Sequence, residues 1–237
     1  IQVEESNKNE IFYKGLFKPL NGNFNDCIIN KTLNFIDLPK KTYFKITITK
    51  NIPVQGGLGS ASTNAASLIL LLNKLKYIKL QNPSKYILIG SDVPCFLFNK
   101  NCIVSGVGDI IEKKHHPKYY FLLVMPNFTN STKNIYSKLG LRKGSTTSFI
   151  NQKKVLNYNI IGNDFEEIVS KENSEFELIM SSLKSMKNVI FSRMTGTGSC
   201  CYAAFEKKEY AIEARNNFKN QFNGLWTYVC ENNTIND

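Results

Sequence analysis

Apolar residues along this chain recur with two periods, and the changes of period mark its elements. Residues 43–50 read Tyr-Phe-Lys-Ile-Thr-Ile-Thr-Lys, alternating with period two and rich in β-branched side chains, which predicts a strand. Upstream, Ile28, Ile29, Leu33 and Ile36 fall at helical spacing and predict a helix over 27–36, closed by Pro39. A longer helix is expected to open near Gly59, with Ala65, Ala66, Ile69, Leu72 and Leu75 on one side, and a shorter one at 83–89. Phe96-Leu97-Phe98, Cys102-Ile103-Val104 and Ile110-Ile111 read as strand-like pieces separated by turns. Residues 119–125 predict a strongly apolar strand ended by Pro126. Helices are expected at 131–139, 164–170, 176–185 and 209–218, and strands at 201–205 and 225–230. Phe12, Leu16 and Phe17 mark only a short apolar stretch, residues 21–26 a turn-rich break and residues 142–154 a polar linker. Strands and helices mix without a regular βαβα rhythm, so the fold class is α+β rather than a doubly wound sheet.

Length and composition narrow the class. The 237 residues suffice for one large domain or two small ones around a cleft, and 42% apolar with 21% charged residues is normal for a folded chain. The formal net charge of +11 favours anionic partners. Yet the lysines are scattered, pairs such as Lys40-Lys41 and Lys113-Lys114 read as solvated turns, and no basic stripe interleaved with aromatics calls for nucleic acid. The six cysteines form no Cys-x-x-Cys pair, so no metal site is expected and they read as reduced thiols. His115 and His116 lie in a polar stretch and read as loop residues rather than ligands. No apolar run reaches the roughly 20 residues of a membrane helix. The chain opens at Ile1 without methionine, so Ile1 is not expected to be the natural start.

Three glycine-containing blocks carry candidate chemistry. The first is Pro53-Val54-Gln55-Gly56-Gly57-Leu58-Gly59-Ser60-Ala61-Ser62-Thr63, between a predicted strand and a predicted helix. A glycine-rich entry into a helix aims several N–H groups at one point, where the helix dipole adds positive potential. Ser60, Ser62 and Thr63 add hydroxyls suited to phosphate oxygens or a magnesium shell. A plain strand-to-helix turn is the alternative. No Gly-Lys-Ser/Thr occurs, so this is not a Walker A loop. The second block, Gly90-Ser91-Asp92-Val93-Pro94, holds a carboxylate on a stiff loop, able to take a proton from an attacking hydroxyl or simply to cap a turn. The third is Met194-Thr195-Gly196-Thr197-Gly198-Ser199, whose amides could face an anion.

Taken in this order, the blocks resemble the GHMP kinase family. The first resembles its ATP loop. Gly-Ser-Asp-Val-Pro, with Phe96 beyond, resembles the catalytic-aspartate motif of the branch that phosphorylates a cytidine-diphosphate methylerythritol on the non-mevalonate route to isoprenoids. The resemblance implies a two-domain fold: a ribosomal protein S5 domain 2-like nucleotide domain (1–106, lacking its first strand) and a ferredoxin-like domain (107–237). It implies Asp92 as proton acceptor and ATP on Lys50 and residues Pro53 to Thr63, with Mg2+. It places the acceptor at Thr132, Tyr136, Gly196, Thr197 and Gly198, with Tyr136 stacked on cytosine. Gly106-Val107-Gly108-Asp109 resembles a structural turn of the branch, and Asn163-Asp164-Phe165-Glu166 a helix start with acidic first-turn residues.

The departures are equally specific. Family members begin with a Lys-x-Asn-Leu strand and an Asp-Gly-Tyr-His segment, and nothing in residues 1–24 matches either. Lys50 does not replace that lysine, whose loss would cost roughly 10²–10³ in rate. The family position often filled by Asn-Leu reads Cys27-Ile28. The resemblance further implies a monomer or weak homodimer without nucleic-acid or membrane partners, in bacterial cytoplasm or a plastid-type organelle. Another GHMP small-molecule kinase, acting for example on mevalonate or homoserine, and a non-catalytic GHMP-fold binding protein remain as alternatives.

Overall fold

The computed structural model describes residues 1–19, 27–140 and 162–232. The turn expected at 21–26 lies outside them, as does the linker expected at 142–154. The chain divides into two compact units. One comprises Ile1–Val54 and Gly59–His116, the other Gln55–Leu58 and Pro117–Asn232. Residues 107–116 thus group with the first unit, and four residues of the first glycine block group with the second.

The first unit is built on β3 (Tyr43–Thr49). Phe44, Ile46 and Ile48 point inward and are at most 1% exposed, whereas Tyr43, Lys45 and Thr49 point out, as period-two alternation demands. Fully burying each such side chain stabilises by about 1.5–3 kcal/mol. β3 is central: β1 (Gln2–Ser6) pairs with it antiparallel and β2 (Glu10–Lys14) parallel, in the order β1-β3-β2. The sequence showed no strand in this stretch, because Gln2–Ser6 and Glu10–Lys14 bury no residue fully and carry almost no apolar alternation. Both edges of β3 are therefore paired.

Helix α1 (Ile28–Phe35) and helix α2 (Ser60–Lys74) cover this sheet with Ile29, Leu33, Ala65, Ala66, Leu68, Ile69 and Leu72. Leu75, expected on the buried side, is 47% exposed, because the helix ends at Lys74 and Leu75 is its C-cap. A 3-10 helix at Pro83–Leu88 follows, opened by Asn82, whose side chain accepts from the Ser84 amide. Then comes α3 (Val93–Phe98). The strand-like reading of Phe96-Leu97-Phe98 is thereby corrected. Pro94 sits in the first turn, where its missing N–H costs nothing, and Asn99 at φ 52° closes the helix in left-handed geometry. An antiparallel hairpin, β4 (Cys102–Ser105) and β5 (Ile110–Lys113), completes the unit.

The second unit runs β6 (Tyr120–Met125), α4 (Thr132–Lys138), α5 (Phe165–Glu172), α6 (Ser174–Lys184), β7 (Phe191–Met194), β8 (Cys201–Phe205), α7 (Lys208–Gln221) and β9 (Trp226–Glu231). Its sheet has the order β7-β8-β6-β9, every neighbour antiparallel. That is the ferredoxin-like arrangement, in which two split β-α-β units interleave. Leu122, Val124, Ala203 and Phe205 meet Ile179, Leu183, Ala211 and Phe218 in its core, all at 0% exposure.

Candidate active site

The N-terminus of α2 is the focus of the first unit. Its N-cap is Gly59, which has no side chain to satisfy the first-turn amides, so the positive end of a 15-residue helix is uncapped. Lys50 lies beside it, only 9% exposed, with Nζ donating to Ser60 Oγ at 2.9 Å. No carboxylate pairs with Lys50 among the described ion pairs. Burial holds its pKa below the ordinary lysine value, because the charged form is desolvated. A buried cation next to a helix N-terminus, without a counter-ion, is a standing demand for an anion.

The Asp92 loop is packed against this same end of α2. A β-carbon on Gly90 would lie 3.6 Å from Ser62 Oγ, and one on Gly59 would lie 2.6 Å from Phe96 Cζ of α3. Asp92 is the N-cap of α3 but makes no side-chain cap bond. Its carboxylate is exposed and absent from the described ion pairs; its nearest side-chain partner is the Ser91 hydroxyl at 3.5 Å, at the limit of a hydrogen bond. The simple capping role left open by the sequence is therefore not the one this side chain plays. The turn of the β4–β5 hairpin presses on the same loop. Gly108 has φ +102°, and a β-carbon there would sit 2.2 Å from the Ser91 carbonyl oxygen. Only glycine permits both the backbone conformation and the approach.

Hydroxyls of the first block have distinct fates. Ser60 accepts from Lys50, Thr63 Oγ1 donates to Gly59 O at 3.0 Å within its own helix, and Ser62 faces the Gly90 turn. Pro53 is buried, while Val54 and Ala61 are exposed.

In the second unit, Gln55–Leu58 lie against the 194–200 turn. Thr195 Oγ1 donates to Gly56 O at 2.6 Å, Cys200 N to the same oxygen at 3.2 Å and Ser199 N to Gln55 O at 3.4 Å. Gly57 has φ +69°, and a β-carbon there would fall 2.2 Å from Thr195 O. The third block thus supports the first. Thr132 Oγ1 and Thr197 Oγ1 are 3.1 Å apart, and Asn130 Nδ2 donates to Thr197 O at 3.0 Å. Gly196 and Gly198 flank Thr197 at φ +47° and +81°. Tyr136, on α4, is 57% exposed and packs edge-on against Phe165 at 4.9 Å between ring centroids. One ring face thus stays available for stacking.

The sequence offered no sign of the bracing by Asn130, Asn163, Phe96 and Gly108. Asn163 was expected only to open a helix, yet its amide also donates to Met194 O and Gly196 O. A side-chain amide just before a helix was the available signal, and it reads as a cap whatever else it holds. All six thiols are free, and burial pushes Cys95 up to about 11 and Cys200 up to about 12. Among the described residues no group of three or more His, Cys, Asp or Glu side chains could hold a metal ion, and no helix is long and apolar enough to cross a membrane.

The sequence matches the family described as GHMP kinases N terminal domain over residues 27–100 and the one described as GHMP kinases C terminal over residues 140–224. It is 34% identical to the 4-diphosphocytidyl-2-C-methyl-D-erythritol kinase of Pelagibacter ubique, over 99% of this chain and 86% of that protein. It is 37% identical to the enzyme of that name from Buchnera aphidicola of Schizaphis graminum, over 70% of this chain but only 56% of that protein. Among solved structures, a 4-(cytidine 5'-diphospho)-2C-methyl-D-erythritol kinase superposes with a TM-score of 0.75 at 17% identity, covering 98% of this chain and 85% of that one. A homoserine kinase from Cytophaga hutchinsonii follows the same fold with a TM-score of 0.64 at 16% identity, covering 98% and 84%.

Proposed function

The chain belongs to the GHMP kinase family, and from that premise we propose that it transfers the γ-phosphate of ATP to the 2-hydroxyl of 4-diphosphocytidyl-2-C-methyl-D-erythritol. The observation that carries the reading is the uncapped α2 N-terminus beside buried Lys50, with the exposed Asp92 on a loop packed against that same helix end.

In this reading the ATP phosphates lie along residues Pro53 to Thr63, held by first-turn amides of α2, the Ser60 and Ser62 hydroxyls and the Lys50 charge. Gly57, at φ +69°, lets this loop approach the Thr195 carbonyl closely. Asp92 accepts the proton of the acceptor hydroxyl as its oxygen attacks the γ-phosphorus. The bond from that phosphorus to the β–γ bridging oxygen breaks, and ADP leaves. Phosphoryl transfer of this kind depends on positioning and on stabilising charge already in place, which a fixed helix end and a buried lysine supply. Mg2+, if bound with ATP, would supply positive charge against the phosphates. Among this chain's residues the Ser62 hydroxyl fits it, next to the Asp92 loop. Thr132 and Thr197, joined through their hydroxyls, with Gly196 and Gly198 flanking Thr197, suit the diphosphate of the acceptor, and the open face of Tyr136 suits the cytosine ring. Bacterial cytoplasm fits the relatives' organisms.

The test is turnover. ADP release should occur with the cytidine-diphosphate polyol and ATP, at least 100-fold faster than with mevalonate or homoserine. Preference for either of those acceptors would assign the chain to another kinase of the same fold. Tight ATP binding without turnover of any of the three would leave a binding protein.

A further inference from the structure

We propose that Asn163 is a positioning residue for the nucleotide loop, acting through the 194–200 turn rather than touching ligand itself. The proposal rests on the reading of Gln55–Leu58 as part of the phosphate cradle. Asn163 spends its whole side-chain amide. Nδ2 donates to Met194 O at 3.0 Å and to Gly196 O at 2.7 Å, and Oδ1 accepts from Phe165 N at 3.0 Å. Only an amide can do all three at once: two donors in one direction and one acceptor in the other. Three residues on, Glu166 Oε1 accepts from Met194 N at 2.7 Å, so the start of α5 grips both polar backbone groups of Met194.

The grip passes directly to the first glycine block. Thr195 stands between the two carbonyls that Asn163 holds. Its hydroxyl donates to Gly56 O at 2.6 Å, and its own carbonyl oxygen is the atom a β-carbon on Gly57 would strike at 2.2 Å. The turn is closed within itself by Thr195 N to Cys200 O at 2.8 Å and Gly198 N to Thr195 O at 2.7 Å, so it moves as a piece. Release of Met194 O and Gly196 O lets that piece tilt, and Gly56–Gly57 follow.

Asn163→Asp separates this role from helix capping. The carboxylate keeps the acceptor for Phe165 N and adds negative charge at a helix N-terminus, which favours α5. It removes both donors and sets a charge against two carbonyl oxygens. If Asn163 only caps α5, Asn163→Asp behaves like the wild type. If it braces the turn, Asn163→Asp weakens Mg-ATP binding about tenfold, as much as Asn163→Ala does, with a Tm only a few degrees below the wild type. A tenfold change is about 1.4 kcal/mol, a scale that two lost neutral hydrogen bonds, partly transmitted, can supply. Isothermal titration of the three proteins with Mg-ATP, and hydrogen exchange of the Ser199 and Cys200 amides that donate to Gln55 O and Gly56 O, read the result. Faster exchange at those amides in Asn163→Asp is expected. Unchanged exchange, wild-type affinity in Asn163→Asp, or collapse of Tm in both variants would overturn the proposal. Should the wild type itself fail to bind Mg-ATP, the kinase reading falls, and the exchange data still decide whether Asn163 holds the loop.

Discussion

A methyl group on Gly108 should disable the proposed phosphoryl transfer from a position with no reactive atom. Gly108 sits in the β4–β5 turn at φ +102°, where an L-residue is strained by about 1–3 kcal/mol. Its β-carbon would lie 2.2 Å from Ser91 O, 3.0 Å from Ser91 C and 3.3 Å from Ser91 Cα. These are backbone atoms, so no rotamer relieves the overlap. Ordinary contact requires the hairpin turn or the Ser91 backbone to retreat by roughly an ångström, and Asp92 is the next residue. A misplacement of that size typically costs about 10² in rate. Gly108→Ala should therefore lower kcat about 100-fold, leave KM for ATP within about threefold and lower Tm by roughly 2–10 °C. Steady-state ADP release with saturating acceptor, and a thermal melt, measure all three. A kcat within twofold of the wild type would refute the idea that the hairpin sets the Asp92 loop. So would parallel loss of ATP binding, since the damage would then not be local.

Two further outcomes follow from the same geometry. Lys50 carries a pKa held below the ordinary 10.5 by burial. It loses its proton at lower pH than an exposed lysine, so ATP affinity should fall as pH rises through that depressed value. In the free protein, the folded chain binds fewer protons than the unfolded chain between the depressed and the ordinary pKa, so stability rises with pH there. Lys50→Met should weaken ATP roughly tenfold near neutral pH and flatten the alkaline fall; an unchanged pH profile would count against its contact with phosphate. Tyr136→Ala should raise KM for the cytidine-diphosphate acceptor about tenfold while Tyr136→Phe stays near the wild type, and an equal rise in KM for ATP would contradict the stacking assignment.

What the sequence disclosed, and what it hid, follows from where the information resides. β3 was legible because Phe44, Ile46 and Ile48 alternate with outward residues, and α2 because its apolar stripe has a helical period. β1 and β2 were not, since strands that bury no residue fully are held by backbone pairing, which side-chain pattern does not encode. α3 was misread because a six-residue helix is too short to show a period, and Phe96-Leu97-Phe98 mimics a buried strand. The three glycine blocks were recognisable as motifs. The contacts that brace them were not, because those of Gly57 with Thr195 and of Gly108 with Ser91 engage carbonyl oxygens common to every residue type. Asn163 was hidden for a related reason: a helix-opening asparagine looks the same whether or not its amide holds a distant turn.

Replacement of Asp92 by Asn tests the central claim most directly. The side chain keeps its size and stays exposed but can no longer take a proton. Measured by single-turnover kinetics with ATP and the cytidine-diphosphate polyol, Asp92→Asn should slow phosphoryl transfer by about 10²–10⁴, with both ligands still bound at wild-type affinity. Phosphoryl transfer at an undiminished rate would contradict the account, because the carboxylate beside the α2 N-terminus would then have no part in the reaction.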